Sequence, residues 1–386
     1  MSAAPPDPTV HERCRSCGAL EPGVVLDLGE VPASDQFPDA GVRGIDPSWP
    51  LTVHMCPVCS CVQLGWARGA QPEPASAVDS ATAREHAARS VRAVVADQGL
   101  RPGQTVLELD SSHGASWLPD FVAAGLVPVG HDQRADLVVD VHHLMHQESS
   151  DAVVAAHAAR LADGGRLVCE FFHLLPLVEH TLIDTFRHGH FVYLSVLAAE
   201  PLFARHGLTL TRAAMVDVYG GSVRLTAARS AELPTVDSSV KQLITQEREA
   251  GLDRLETLRM LGRRGEHVAV RFREHLQQLA EQGRRVAGYG APSKAAVLLA
   301  LSGVDARLLP YTVDLSPAKH GCRVPGAGVL IRPVETLLME RPDDVVILTW
   351  DIAEEVVGQL RSASSGDWSP RVYVPLPEPR EFSLRG

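Results

Sequence analysis

The stretch VLELDSSHGASW, Val106 to Trp117, is a short apolar strand with an acid inside it that runs into a loop of small residues. Strand, small-residue turn and helix, in that order, present backbone N–H groups to a nucleotide at the carboxyl ends of a parallel sheet. Glu108 ends the strand, Gly114 allows close backbone approach, and Asp132 closes VPVGHD, the next strand, where ribose hydroxyls would sit. Asp110 stands where such a turn places its first glycine. A carboxylate there repels an anionic group by roughly 1–4 kcal/mol at close range and would suit a cationic one.

Around this turn, residues 104–229 alternate in the manner of a parallel α/β sheet. The strands TVLELD, VPVGHD, ADLVVD and GRLVCEF frame the helical SSDAVVAAHAARLA. Only QRA separates VGHD from ADLVVD, too little chain for the helix of a parallel crossover, so part of the expected βαβ repeat is missing. Upstream, ASAVDSATAREHAARSVRAVVADQGL has helical spacing, with Ser80 or Asp79 as cap and Gly99 as stop. Downstream, residues 238–283 are charged and helical, with Leu252, Leu255, Leu258 and Leu261 on one side and a break expected near Gly262. RRVAGYGAPSKAAVLLALSG, LLPYTVD and DDVVILTW then start a second α/β unit.

The N-terminal segment, up to Gly65, is of another kind. Cys14-x-x-Cys17 and Cys56-x-x-Cys59 form two thiolate pairs, with Cys61 beside the second, between strand-like pieces GVVLDLG and LTVHMC. Two such knuckles close a tetrahedral zinc site whose four protein ligands leave no position open for catalysis, so the metal is expected to be structural. The expected organisation is α/β: a zinc module over residues 1–65, a Rossmann-like domain over 66–235, and a helical connector with a second Rossmann-like domain over 236–386.

Composition narrows the partners. There are 36 Lys and Arg against 47 Asp and Glu, a net charge of −11, which disfavours nucleic acid and anionic membranes as partners. The N-terminal MSAAPPDPTVHERC has no basic and apolar leader, and no run has the length of a membrane span. A cytoplasmic protein with reduced thiols and a small-molecule substrate is expected.

Two further segments carry chemistry. In FRHGHFVYLS, His188 and His190 flank a glycine just beyond a sheet strand, where a histidine could take a proton near neutral pH. In GYGAPSK, Tyr289 lies between two glycines at a strand-to-helix turn, and Lys294 falls in the first helical turn, an arrangement suited to an anion. Lys319 in DLSPAKHG and Trp350 in TWD lie at later strand ends and could line the same cleft.

CRSCG, LDLGEVPASDQF, MCPVCSCVQL, YGGSVR, GYGAPSK, DLSPAKHG and LTWDIAEEV occur together in one order. In this the chain resembles the sugar C-methyltransferases that act on nucleoside-diphosphate keto-deoxysugars in antibiotic pathways. The resemblance implies a base that removes a proton beside a sugar ketone, and an enolate that attacks the methyl group of S-adenosylmethionine (SAM). It implies His190 as base, with His188 and Tyr193 beside it, and Glu108, Asp110, Gly114, Asp132 and His142 around the cofactor. Arg224, Tyr289, Lys294, Lys319 and Trp350 would hold the nucleotide sugar, and Cys14, Cys17, Cys56 and Cys59 the zinc.

The chain departs from that pattern at several positions. Asp110 replaces a glycine, His142 an asparagine, and Arg187 and Gly189 the tyrosine and glutamate that precede the family's histidine; Asp351 stands where asparagine is frequent. Three readings follow: methyl transfer from SAM, enolate chemistry without SAM (isomerisation, epimerisation, elimination or cyclisation), and a non-catalytic ligand-binding protein.

Overall fold

A computed structural model describes residues 13–42, 44–65, 79–109, 115–364 and 368–384. Asp110 and Gly114 lie outside the described residues.

Near the N-terminus, β1 (Gly23–Pro32), β2 (Ser48–Met55) and β3 (Val62–Leu64) form an antiparallel meander. Its fourth strand, β8 (Val192–Tyr193), comes from the middle of the chain and pairs Val62 with Tyr193. The module is thus sewn to the segment that carries His188 and His190.

The central sheet is built from α1 (Ala81–Gln98), β4 (Thr105–Glu108), α2 (Leu118–Ala123), β5 (Val127–Pro128), β6 (Ala135–Val141), α3 (Ser150–Arg160) and β7 (Leu161–Phe172). After α4 (Leu174–Glu179) and α5 (Val196–Arg205), the antiparallel pair β9 (Leu208–Val216) and β10 (Ser222–Arg229) completes the order β5-β4-β6-β7-β10-β9. Ser80 caps α1 by accepting from the Ala83 N–H, and Gly99 closes it in the left-handed conformation, both as read from sequence. Ala87, Val91 and Val94 of α1, with Trp117 and Phe121, cover one face of the sheet; Val154, Ala158 and Leu202 cover the other.

No described strand lies outside β5. That strand is very short; it and β6 flank β4 and both run parallel to it, so the segment between them crosses β4 without a helix. Gln133 N–H donates to the Gly130 carbonyl at 3.0 Å, and Arg160 Nε donates to the His131 carbonyl at 2.8 Å. Arg160 ends α3 at the edge where strands begin, and Ala135 starts β6 there, opposite Leu161.

α6 (Ser238–Glu249) and α7 (Leu255–Glu281) connect to the last domain. The break falls at Gly251 (φ 76°), and α7 runs unbroken through Gly262. It does so because Leu258, Leu261, Gly265, Ala269, Phe272, Leu276 and Leu279 keep a buried stripe along its whole length. Burying each large apolar side chain of that stripe contributes up to about 1.5–3 kcal/mol, which outweighs the roughly 1 kcal/mol helix penalty of one glycine.

The C-terminal sheet comprises β11 (Val286–Tyr289), α8 (Ser293–Ser302), β12 (Tyr311–Val313), β13 (Leu330–Arg332), α9 (Thr336–Glu340), β14 (Asp344–Ile347), α10 (Ala353–Ala363), β15 (Arg371–Val374) and β16 (Arg380–Ser383). Its order is β13-β12-β11-β14-β15-β16, parallel except for the last strand. The chain goes to one side after β11 and to the other at β14, so a crevice opens at the carboxyl ends of these two strands, where α/β sheets bind ligands. Among the described residues no helix is long and apolar enough to cross a membrane.

Candidate active site

In the N-terminal module the four expected cysteine sulfurs lie within 4.8 Å of one another. Cys14 Sγ and Cys59 Sγ are 3.6 Å apart, as are Cys17 Sγ and Cys56 Sγ. Zn–S bonds of about 2.3 Å in a tetrahedron require sulfurs about 3.8 Å apart, so the set fits zinc. Cys61 is not part of it; its thiol faces the Val62 carbonyl. Four thiolates saturate the ion, and its role is to hold the module that supports β8.

A cleft of about 260 Å³ lies where the central and C-terminal sheets face each other. Thr185, Arg187, His190, Phe172 and Tyr219 form its central-domain wall, joined by Asp79, Ser80 and Ala83 at the start of α1. Tyr289, Gly290, Lys294, Asp314, Lys319 and Asp351 form the opposite wall, at or beyond the carboxyl ends of β11, β12 and β14.

His190 is fixed by its backbone and by its ring. Phe191, next to it, donates to the Met145 carbonyl and accepts from Leu64, so the loop is held between the central sheet and the zinc module. His190 Nδ1 lies 3.1 Å from the Thr185 carbonyl. A carbonyl can only accept, so Nδ1 carries the hydrogen, and the neutral ring has its basic lone pair on Nε2. Gly189 has φ 93°, which glycine adopts without strain, in the position where the resembled family has glutamate.

The flanking residues are held differently. His188 is buried against the zinc module, 3.3 Å from the Pro50 carbonyl and edge-on to Trp49, and burial depresses its pKa. The Tyr193 hydroxyl is taken up by the Arg187 main chain, and burial raises its pKa. Neither lines the cleft described above. Arg187 does, and its guanidinium pairs with Asp35 at 2.6 Å. Asp35 belongs to the ASDQF stretch, whose Phe37 ring lies 4.7 Å from the Lys319 ammonium. One segment of the zinc module therefore supports a cation on each wall.

On the C-terminal wall, Lys294 pairs with Asp351 at 2.7 Å and stands 3.9 Å above the Trp350 ring. Trp350 supports the wall from below and donates through Nε1 to Asp184 at 2.7 Å. Asp184 is fully buried, and burial raises its pKa to about 6 against the opposing influence of Lys294 and the indole hydrogen bond. Tyr289 donates to Gln359 at 2.5 Å. Lys319 donates to the Ala291 carbonyl at 2.8 Å and has no carboxylate partner among the described residues, which makes it the cation with charge to offer an anionic ligand. At the domain junction Gly220 (φ 87°) brings the β9–β10 turn so close to Trp350 that a Cβ would lie 2.6 Å from the indole.

Of the residues expected around SAM, Asp110 and Gly114 lie outside the described residues, and the structure places the other three as follows. Asp132, expected beside ribose, lies on the exposed turn between β5, which runs parallel to β4, and the start of β6 at Ala135. Glu108 is at the right edge, yet its carboxylate accepts from Ser116 Oγ, Trp117 N (2.6 Å) and Leu118 N (3.2 Å), capping α2. His142, in a left-handed conformation (φ 62°) after β6, is fully buried with its ring 4.7 Å from Phe172; burial lowers its pKa to about 4 and keeps it neutral.

Arg224, expected at the substrate, lies instead within the central domain. It bonds Glu170 through Nε (2.9 Å) and Nη2 (2.7 Å), contacts Ser90 Oγ, and sits 5.0 Å over the Trp117 ring. Glu170 also binds His86 at 2.5 Å. Burial alone would raise the Glu170 pKa; the His86 hydrogen bond and the Arg224 charge outweigh it and hold the carboxylate below its ordinary range.

Sequence reading overlooked Asp35, Phe37 and Asp184. For Asp184 a signal existed, since it is a lone acid within the apolar run LIDTF, and such acids are buried with partners when they occur.

Comparison with known proteins defines the class. The model of the C-methyltransferase C-terminal domain matches residues 217–377, and a zinc binding domain model matches residues 14–67. In these two segments the chain is similar to C-methyltransferases. Among particular relatives, it is 28% identical to the C-methyltransferase NovU of Streptomyces niveus, with 96% of this chain and 97% of the relative aligned. Among solved structures it is similar over 38% of its length to magnesium protoporphyrin IX methyltransferase (ChlM) of Synechocystis PCC 6803 with bound S-adenosylhomocysteine (84% of that chain, 17% identity, TM-score 0.29). It is also similar over 39% to the Burkholderia thailandensis 1,6-didemethyltoxoflavin-N1-methyltransferase (79% of that chain, 16% identity, TM-score 0.27).

Proposed function

We propose that the cleft binds a small keto substrate through an anionic handle, of the nucleoside-diphosphate deoxysugar class, and that His190 removes a proton from the carbon beside its ketone. The observation that carries this reading is the pairing of two unlike walls. One holds an imidazole whose Nδ1–H is anchored on Thr185, and the other holds Lys319 and the start of α8 at a strand switch point. A base with a fixed tautomer suits proton abstraction. An ammonium beside open helix N–H groups suits a diphosphate. The resulting enolate is the nucleophile that C-methylation needs, which is the chemistry named for the relative from Streptomyces niveus.

The test is calorimetric titration with a free nucleoside diphosphate. Wild-type protein is expected to bind it, and Lys319→Ala to bind about 10-fold or more weakly, the loss of one charge-assisted contact. Equal affinity of the two proteins would remove the diphosphate handle from the reading.

A further inference from the structure

We infer that the phenol hydroxyl of Tyr219 is the hydrogen-bond donor that holds the substrate's ketone oxygen while His190 removes the neighbouring proton. The inference rests on the role proposed for His190 and adds a second group to the same wall of the cleft.

Tyr219 lies in the turn between β9 and β10 at φ 53°, in the left-handed region that a bulky side chain rarely adopts. The glycines after it lock that turn from both sides. Gly220 lies against the Trp350 indole of the C-terminal domain, and Gly221 (φ 116°) against Pro176, where a Cβ would come within 2.6 Å of the ring. Gly221 N–H donates to the Val218 carbonyl at 2.9 Å, and its carbonyl accepts from His173 N–H at 3.1 Å. The backbone at Tyr219 is thus held in a conformation that glycine or asparagine would take more readily. Strain of this kind persists where the surroundings fix it, and it marks a side chain needed in one place.

That place is the cleft. The Tyr219 ring stands edge-on to His86 (6.2 Å between centroids), His142 (5.9 Å) and Phe172 (6.2 Å). Phe172 in turn packs 5.7 Å from His190, and all three of Tyr219, Phe172 and His190 line the same wall. Three rings fix the phenol, while its hydroxyl has no hydrogen-bond partner among the described residues and is not sealed in the core. Other donors of the cleft are committed: Tyr289 to Gln359, Arg187 to Asp35 and Lys294 to Asp351. Burial raises the Tyr219 pKa, and the nearby Asp351 and Glu170 charges reinforce this, so the hydroxyl keeps its hydrogen at neutral pH.

Enolate formation calls for such a donor. The C–H bond beside the ketone breaks, its proton passes to His190 Nε2, and its electron pair enters the enolate, whose charge gathers on the former ketone oxygen. A neutral O–H aimed at that oxygen bonds the enolate more strongly than the ketone, so it lowers the barrier instead of merely holding the substrate. Return of a proton from solvent to the carbon restores the ketone and weakens the hydrogen bond again.

The full-length zinc-loaded protein is incubated with a nucleoside-diphosphate keto-deoxyhexose in deuterium oxide, and label at the carbon beside the ketone is followed by NMR over a range of sugar concentrations. Wild type, Tyr219→Phe and His190→Gln are compared, and each is titrated calorimetrically with free nucleoside diphosphate. Tyr219→Phe keeps the ring and its three neighbours, so its diphosphate affinity is expected to match wild type, which shows the fold intact. Its maximal exchange rate is expected to fall about 100-fold, with the half-saturating sugar concentration little changed. A maximal rate within about 3-fold of wild type overturns the donor, and exchange lost in His190→Gln then leaves the base standing. Loss of diphosphate affinity alongside the rate makes Tyr219 a structural residue and also overturns the donor. Equal exchange by wild type and His190→Gln, or none by wild type, overturns the base and the donor with it.

Discussion

Arg187 and Asp35 form an ion pair at 2.6 Å that joins the zinc module to the wall of the cleft, with side-chain exposures of 2% and 4%. Removing one partner of a buried pair strands the other charge, which costs about 3–5 kcal/mol. Asp35→Ala is therefore expected to lower unfolding stability by that amount in urea melts. The double change Asp35→Leu with Arg187→Met should recover most of it, since no charge is left behind. A single-variant loss under about 1 kcal/mol would mean that the guanidinium reaches water by rearranging.

The zinc ion should be stoichiometric and structural. One zinc per chain is expected on mass spectrometry under native conditions, released by titrating the thiols with a mercurial. Cys56→Ser should unfold the module and, through the β3–β8 pairing of Val62 with Tyr193, loosen the His190 loop. Amide exchange of residues 186–193 should rise in that variant and stay low in a variant of the exposed Ile45. Unchanged protection would separate the module from the cleft.

Arg224 and Lys319 should fail in different ways. Arg224→Leu leaves Glu170 buried with half its compensation lost, so a fall in stability of about 3–5 kcal/mol is expected, with nucleoside diphosphate affinity retained in the folded fraction. Lys319→Ala should show the reverse pattern. Loss of affinity in Arg224→Leu at full stability would place that guanidinium in the ligand site.

Asp184 gives a pH dependence. Its pKa is raised from an ordinary 3.8 to about 6 by burial, so between these values the folded state holds a proton that the unfolded chain has lost. Its contribution is therefore fully favourable below about pH 4, falls as pH rises towards 6, and is flat above that. At about 1.4 kcal/mol per pH unit the full effect is on the order of 3 kcal/mol. Asp184→Asn keeps an acceptor for Trp350 Nε1 and cannot ionise. It is expected to match wild type near pH 4 and to melt higher than wild type above pH 6.5. Parallel stability curves across pH 4–7 would show that Asp184 is ionised throughout.

The strand, turn and cap signals of the sequence were local, and local signals proved sufficient for most elements. Ser80 and Gly99 bound α1 because a hydroxyl acceptor and a residue free to take positive φ act alike in any fold. The four cysteines converge because two C-x-x-C turns present thiolates whatever lies between them. Gly262 misled because a glycine inside a buried helical stripe is overridden by packing on either side.

What the sequence by itself determined is the set of parts: a zinc knuckle pair, two α/β sheets, a histidine after a sheet strand, lysines after others, and a connection from β5 to β6 too short for a helix. Tertiary structure decided which parts meet. Lys319 and His190, from different domains and distant in the chain, face one cleft, while Arg224, expected at the same ligand, closes an internal network with Glu170. The reason is that neighbours in a cleft are set by long-range strand pairing, which no local signal encodes: β11 lies between β12 and β14, and the segment that carries His190 is held to the zinc module through β3 and β8.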